Sequence, residues 1–215
     1  MKLRTISCRL FSILLVFTIF SSSVYAQQAG KTMSVGIARI DITPETPVRL
    51  AGFALRSKTE AQGTLQRLSA KALAFGTDKQ GPSILITADM IGIPAHVTTE
   101  VARRLSQKAG IDRARFAISA SHSHTAPELG DLLNILQYRS ATSYSDSLLP
   151  VQHINHINLY VEQLTSKLEQ VALAALQARQ PSLVSWGQGK VGFAANRRNV
   201  PESVDQSMPL LKVTD

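Results

Sequence analysis

Residues 83–120 read SILITADMIGIPAHVTTEVARRLSQKAGIDRARFAISA, and this stretch decides the fold. Its two ends, 83–89 and 115–120, are short runs rich in apolar and β-branched residues, which is typical of buried strands. Between them Pro94 opens a helical pattern and Gly110 closes it. The apolar residues of that pattern recur on one stripe: Val97, Val101 and Leu105. Strand, helix and strand in this order predict a βαβ unit of an α/β sheet.

Further segments on both sides of this unit extend the sheet. Strands are predicted at residues 33–43, where Pro44 ends the run, and at 68–75, 183–194 and 209–214. A longer helix is predicted from six apolar residues spaced three or four apart: Ile157, Val161, Leu164, Leu168, Val171 and Ala175. Pro181 marks the end of this helix. The predicted fold class is therefore α/β, a mixed sheet with flanking helices.

Composition and charge exclude several classes of protein. The chain has 215 residues, of which 44% are apolar and 18% charged, so it is neither disordered nor collagen-like. The formal charge is +8, but residues 1–26 hold three cations and no acid, which leaves 8 − 3 = +5 for the rest. The remaining basic residues form no run and aromatics are few, so nucleic-acid binding is not expected. Cys8 is the only cysteine, which excludes an internal disulfide and a cysteine-rich zinc site.

Residues 1–26 have the pattern of a signal peptide. Basic residues come first (Lys2, Arg4 and Arg9), followed by the apolar run LFSILLVFTIF at 10–20. Val24 and Ala26 then place small side chains at the positions that signal peptidase reads. The run is shorter than the roughly 20 residues of a membrane-spanning helix. Cleavage after Ala26 and export to the periplasm or the medium are expected, with an uncleaved anchor as the alternative.

Two histidines follow the second strand of the βαβ unit, in the sequence SHSHTAP at 121–127. If this segment is extended, His122 and His124 project to the same side. They would then face the mouth at the carboxyl ends of parallel strands, where open α/β sheets bind ligands. One imidazole could ligate a metal ion while the other contacts a bound substrate. The alternative is a pair of solvated loop histidines.

A second histidine pair, His153 and His156, lies at the start of the predicted long helix. Their spacing makes them neighbours there and allows a surface metal clip, although polar residues at a helix start are the simpler interpretation. His96 is interpreted as a first-turn residue of the preceding helix. Residues 129–138 read LGDLLNILQY, which predicts a core helix or an apolar lip for an acyl chain. The polar stretch at 140–147 predicts a loop.

Several segments, in order along the chain, resemble neutral/alkaline ceramidases. They are residues 35–44, 50–53, 86–89, 121–127, 196–197 and 204–211. The segment 121–127 resembles the His-x-His-x-x-Pro zinc segment of that family, which hydrolyses the amide of N-acylsphingosine. The resemblance implies zinc held by two His, a Glu and a Tyr, with His122 as a ligand and His124 and Arg197 as catalytic residues. Residues 125–128, TAPE, replace the family's more usual glycine-rich continuation.

The resemblance also implies that the other zinc ligands and an active-site Ser lie beyond Asp215. Residues 27–215 are then the N-terminal part of a ceramidase-like zinc hydrolase domain, truncated at Asp215. The expected function is an exported Zn²⁺-dependent amidohydrolase acting on a ceramide-like lipid amide, with peripheral membrane contact. Zinc suits this reaction because it polarises a carbonyl and lowers the pKa of bound water to about 7. The alternatives are a periplasmic metal- or solute-binding protein using His153 and His156, and a non-catalytic ceramidase-like fragment.

Overall fold

The computed structural model describes residues 32–52, 59–130, 149–196 and 203–214. Four parts of the sequence interpretation lie outside these residues: the signal peptide, most of the leucine-rich segment after Gly130, the loop at 140–147, and Arg197. Leu129 is described and is buried at 1% exposure, as a core residue would be. Among the described residues, no helix combines the length and the apolar character needed to cross a membrane.

Six strands of the described residues form one sheet, in the order β4-β3-β2-β1-β5-β6. They are β1 Thr32–Asp41, β2 Ser69–Phe75, β3 Ser83–Ala88, β4 Phe116–Ala120, β5 Gln180–Lys190 and β6 Ser207–Thr214. Strands β3 and β4 are parallel, whereas the other neighbouring pairs are antiparallel. The sheet is therefore mixed, and the predicted fold class is confirmed.

Helix α1, Ala95–Ala109, connects β3 to β4 and completes the predicted βαβ unit. Pro94 is its N-cap residue, and Gly110 ends it with a φ of 64°. In this left-handed conformation the Gly110 amide donates to the carbonyls of Leu105 and Ser106, as is common at helix C-termini. The predicted apolar stripe of the helix is buried in the core: Val97, Val101 and Leu105.

Helix α2, Val151–Gln177, packs across β1 and β2 and beside α1. Its core-facing side chains are Ile157, Tyr160, Leu164, Leu168, Val171 and Ala175. The helix approaches β1 so closely that a Cβ on Gly36 would lie 2.0 Å from the carbonyl oxygen of Ala175. Only glycine fits at this crossing, which explains why position 36 of β1 is a glycine.

The buried hydroxyl of Tyr160 links α2 to the end of β1. It donates to the carbonyl of Ile42 at 2.8 Å. Burial raises the pKa of Tyr160 far above its ordinary value, so the hydroxyl stays a neutral donor. This hydrogen bond fixes the chain where it leaves β1 and turns towards residues 43–52.

Two basic residues of α1 join it to α2. Arg104 and Lys108 both form ion pairs with Glu169 of α2, whose side chain is only 8% exposed. Arg103 does lie on the exposed face, where it pairs with Glu100. A nearly buried carboxylate requires a charged partner, which explains why α1 turns two cations towards its neighbour.

Several predicted boundaries are shifted, and three of the shifts have a local structural reason. Strand β1 ends at Asp41, where the side chain accepts from the Thr43 amide at 2.8 Å and turns the chain. Hydrogen bonds from Thr43, and then from Arg67, lower the pKa of Asp41 to about 2. Helix α2 ends at Gln177, because Gln180 and Pro181 already belong to β5 and pair with β1. Strand β5 ends at Lys190, where its pairing partner β6 begins.

Candidate functional site

The His122–His124 segment extends the parallel pair β3 and β4 beyond their carboxyl ends. The amide of Ser121 donates to Ala88 at 3.0 Å, and the amide of Ser123 donates to Met90 at 3.1 Å. These two hydrogen bonds hold the segment against the chain that leaves β3. The predicted position of the histidine pair, at the mouth formed by parallel strands, agrees with this geometry.

The ring of His122 is fixed by the backbone of the neighbouring strand connection. Its Nδ1 lies 2.8 Å from the carbonyl oxygen of Ile91. Because a carbonyl can only accept, Nδ1 carries a proton, and in the neutral ring Nε2 then carries the lone pair. His122 also has a φ of 60°, an uncommon conformation for a residue with a side chain. Such strain in a non-glycine residue is characteristic of functional sites.

The ring of His124 is fixed in the same way by a different segment. Its Nδ1 lies 3.1 Å from the carbonyl oxygen of Gly52, a residue 72 positions earlier in the chain. Gly52 has a φ of 94°, and a Cβ there would lie 2.6 Å from Cγ and Nδ1 of His124. Glycine is therefore required at position 52, both for the backbone conformation and for the space that the imidazole occupies.

The two imidazoles meet edge to face rather than standing side by side. Their centroids are 5.0 Å apart and their planes cross at 74°. The expected extended geometry is therefore wrong in detail, because the left-handed φ of His122 turns the chain after β4. The rings still come together, each with Nδ1 facing a backbone carbonyl.

The segment that carries Gly52 is attached to the chain after His124 by a short antiparallel pairing. Ala51 donates to Ala126 at 3.0 Å, and Glu128 donates its amide to Arg49 at 2.8 Å. The side chains of Arg49 and Glu128 form an ion pair at 3.4 Å, and each is only 1% exposed. Glu128, the residue that departs from the family pattern, therefore helps to hold Gly52 against His124.

The second histidine pair, His153 and His156, lies beside the carboxylate of Glu60, which the sequence analysis did not identify. Nδ1 of His156 lies 2.7 Å from Oε1 of Glu60, and Nε2 of His153 lies 3.8 Å from Oε2. The residues are partly buried, at 9% to 22% exposure. Across the described ranges, no group of three or more His, Cys, Asp and Glu residues could hold a metal ion.

Of the three site residues that the family resemblance implies, the structure brings His122 and His124 together, and Arg197 lies outside the described residues. The sequence analysis missed the two carbonyls that fix the rings, those of Ile91 and Gly52. Gly52 stood inside the segment 50–53 that carried part of the family resemblance, which was the one available signal. Every residue has a backbone carbonyl, so no sequence signal could have identified the contact with Ile91.

Comparison with known proteins supports the fold. No protein-family model matches the sequence, and no curated protein matches it. A solved structure described as a ceramidase complexed with C2 matches with a TM-score of 0.64 at 20% identity, over 86% of this chain and 29% of that chain. Neutral ceramidase from Pseudomonas aeruginosa matches with a TM-score of 0.61 at 20% identity, over 86% and 30%. The chain thus has the fold of part of a neutral ceramidase and spans about 30% of the matched chains.

Proposed function

We propose that this protein is a zinc-dependent amidohydrolase that acts on a lipid amide of the N-acylsphingosine type. The observation that carries the proposal is the His122–His124 pair, which lies at the carboxyl ends of two parallel strands with both Nδ1 atoms bonded to backbone carbonyls. The likeness of the fold to solved ceramidase structures supports the same reaction class.

His122 is the proposed zinc ligand of this part of the chain. Metal-ligating histidines usually donate their other ring N–H to a carbonyl or carboxylate, and the 2.8 Å contact of Nδ1 with Ile91 is of this kind. The residue therefore fits the role. Zinc, when bound, supplies Lewis-acid polarisation of the amide carbonyl and an acidified water. We propose that the remaining ligands come from outside the described residues.

His124 and Arg197 are the proposed catalytic residues. The hydrogen bond to Gly52 holds the His124 ring with Nε2 as an acceptor, which suits a group that takes or relays a proton near the reacting amide. A guanidinium at Arg197 would stabilise the negative charge that develops on the carbonyl oxygen. The role of Arg197 rests on the family resemblance alone.

Export to the periplasm or the medium is part of the same proposal. It rests on the basic start, the apolar run and the small residues before position 27. A lipid substrate would also require at least transient contact with a membrane or a micelle. Retention of the first 26 residues in the purified natural protein would contradict the proposed cleavage.

Zinc content and turnover, measured together on variants of the full natural polypeptide, test the assignment. His122→Ala should lose both zinc and activity on a short-chain N-acylsphingosine. His124→Ala and Arg197→Ala should keep most of the zinc and turn over roughly 10²–10³-fold more slowly, as expected for a lost transition-state hydrogen bond. Matched controls are His96→Ala, at an exposed position of α1, and Arg198→Ala. Full zinc and full turnover in His122→Ala would contradict the proposal.

Zinc binding and amidase activity of the polypeptide 27–215 distinguish the amidohydrolase from the alternative, a metal-binding protein. Zinc sites normally need at least three protein ligands, and His122 is the one ligand proposed within residues 27–215. This polypeptide should therefore bind zinc weakly and have no amidase activity. Tight stoichiometric zinc that is lost in His153→Ala would instead favour a site at His153 and His156, where Glu60 lies between the two rings. Such a result would leave the fold unchanged but would remove His122 from the metal site.

A further inference from the structure

The segment 48–52, which carries the carbonyl bonded to His124, lies between two other segments of the chain. It pairs with residues 126–128 on one side and with residues 60–61 on the other, each through an isolated antiparallel bridge and at least one backbone hydrogen bond. The position of the Gly52 carbonyl therefore depends on how this middle segment is held between its two neighbours.

A buried ion pair crosses the first of these pairings. Nε of Arg49 lies 3.4 Å from Oε2 of Glu128, and each side chain is only 1% exposed. Among the residues that the structure describes, no hydrogen bond reaches either carboxylate oxygen of Glu128. A buried ion pair stabilises a protein only when its geometry is good and its remaining polar atoms are hydrogen-bonded, and apolar side chains of similar volume are often as stable or more stable. Stability is therefore a poor explanation for this pair.

The neighbours of the pair along both segments are apolar core residues. Val48, Ala51, Ala126 and Leu129 are all at most 2% exposed. In such surroundings of low dielectric constant, the attraction between opposite charges is stronger than in water, and separating two buried charges is costly. Either segment can therefore shift along the other only at a high cost in free energy, so the pair fixes their relative position.

The same two segments hold the ring of His124. Arg49 precedes Gly52 by three residues, and Glu128 follows His124 by four. The imidazole fills the space beside Gly52, where an added Cβ would lie 2.6 Å from the ring. A displacement of either segment therefore changes the contact between Nδ1 and the Gly52 carbonyl, which is 3.1 Å long in the structure.

We propose that Arg49 and Glu128 are positioning residues for His124. Their ion pair holds the two segments in one arrangement, and the Gly52 carbonyl then fixes the imidazole with its proton on Nδ1. In this assignment neither residue contacts the metal ion or the substrate. The effect on turnover rests on the proposed function, whereas the effect on the ring of His124 does not.

Replacing both charges by apolar side chains separates positioning from stability. The double variant Arg49→Met, Glu128→Leu keeps similar side-chain volumes, so its urea midpoint should equal or exceed that of the unaltered protein. Long-range ¹H–¹⁵N spectra of the neutral His124 ring should nevertheless show the Nε2–H form rising to at least a tenth of the population. In the full natural polypeptide, kcat on a short-chain N-acylsphingosine should fall by about 10-fold or more with KM unchanged, as expected for a misplaced catalytic group.

The matched control is the double variant Arg104→Met, Glu169→Leu. It removes an ion pair with the same N···O distance of 3.4 Å, which joins α1 to α2. Because this pair lies in neither of the segments that hold His124, the control should leave the His124 spectrum and kcat unchanged.

Retention of the Nδ1–H form in the Arg49→Met, Glu128→Leu variant overturns the proposal, and so does an equal change of the spectrum in the control. A urea midpoint well below that of the unaltered protein assigns the pair to stability and overturns it as well. Absence of amidase activity in the unaltered protein contradicts the proposed function alone, because the spectrum of His124 needs no substrate. A changed spectrum with an unchanged kcat supports the positioning role and contradicts the catalytic role of His124.

Discussion

Replacing Gly52 by alanine should displace His124 and destabilise the protein. The backbone at position 52 has a φ of 94°, which residues with a side chain rarely adopt. The added methyl would also lie 2.6 Å from two ring atoms of His124, much closer than a van der Waals contact. Backbone and ring cannot both keep their positions, so the hydrogen bond from Nδ1 to the Gly52 carbonyl should be lost or distorted.

The magnitude follows from the two separate causes. A left-handed conformation costs an alanine about 1–2 kcal/mol, and overpacking of a filled space costs about 1–3 kcal/mol. Gly52→Ala should therefore reduce the free energy of unfolding by about 2–5 kcal/mol. Gly110→Ala isolates the backbone cause, because φ there is 64° and no atom lies within 4 Å of the added Cβ. Gly63→Ala, with no contact and no left-handed φ, should change stability by less than about 0.5 kcal/mol.

Urea unfolding of the three variants gives the stabilities, and ¹⁵N spectra of the imidazoles report on the ring of His124. The expected order of destabilisation is Gly52→Ala, then Gly110→Ala, then Gly63→Ala, with a changed His124 signal in the first alone. If Gly52→Ala is no more destabilising than Gly110→Ala and leaves the His124 signal unchanged, the close packing of ring and backbone is refuted.

Three further variants test the packing and the charges around the sheet. Leu164→Ala, at a fully buried position of α2, should cost about 2–5 kcal/mol, whereas Leu159→Ala, at a position 41% exposed on the same helix, should cost less than about 0.5 kcal/mol in the same urea assay. Tyr160→Phe should cost about 1–3 kcal/mol, because it leaves the buried carbonyl of Ile42 without its donor, and an unchanged urea midpoint would contradict that hydrogen bond. Because the pKa of Asp41 falls from 3.8 to about 2 on folding, its stabilising effect is present above pH 4 and lost as the pH falls towards 2. Asp41→Asn should therefore flatten the decrease of stability over that interval, and an unaltered pH profile would contradict the assignment.

The βαβ unit could be predicted because its information is local. Pro94 and Gly110 bound the helix, and the apolar residues between them recur at the helical period, so no distant contact is needed to identify it. The long helix is similar, since its apolar stripe spans more than four turns. The end of that helix could not be placed as well, because the strand that begins at Gln180 is determined by pairing with β1 and β6.

The candidate site could be predicted in position but not in geometry. The sequence places His122 and His124 directly after a strand, which is enough to bring them to the carboxyl ends of the parallel strands. The carbonyl that fixes His124 comes from Gly52, and the carboxylate beside His156 comes from Glu60, 72 and 96 residues earlier in the chain. Contacts of this kind depend on tertiary packing, and no local pattern in the sequence identifies them.

The tautomers of the two histidines test the central claim most directly. Long-range ¹H–¹⁵N correlation spectra of the neutral imidazoles distinguish the protonated nitrogen from the lone-pair nitrogen, and His122→Ala and His124→Ala assign the signals. The backbone carbonyls of Ile91 and Gly52 require the proton to be on Nδ1 in both rings, which leaves each Nε2 as the nitrogen that could bind a metal ion or accept a proton. Observation of Nδ1–H in both residues is the predicted result; a predominant Nε2–H form in either ring would contradict the site described here.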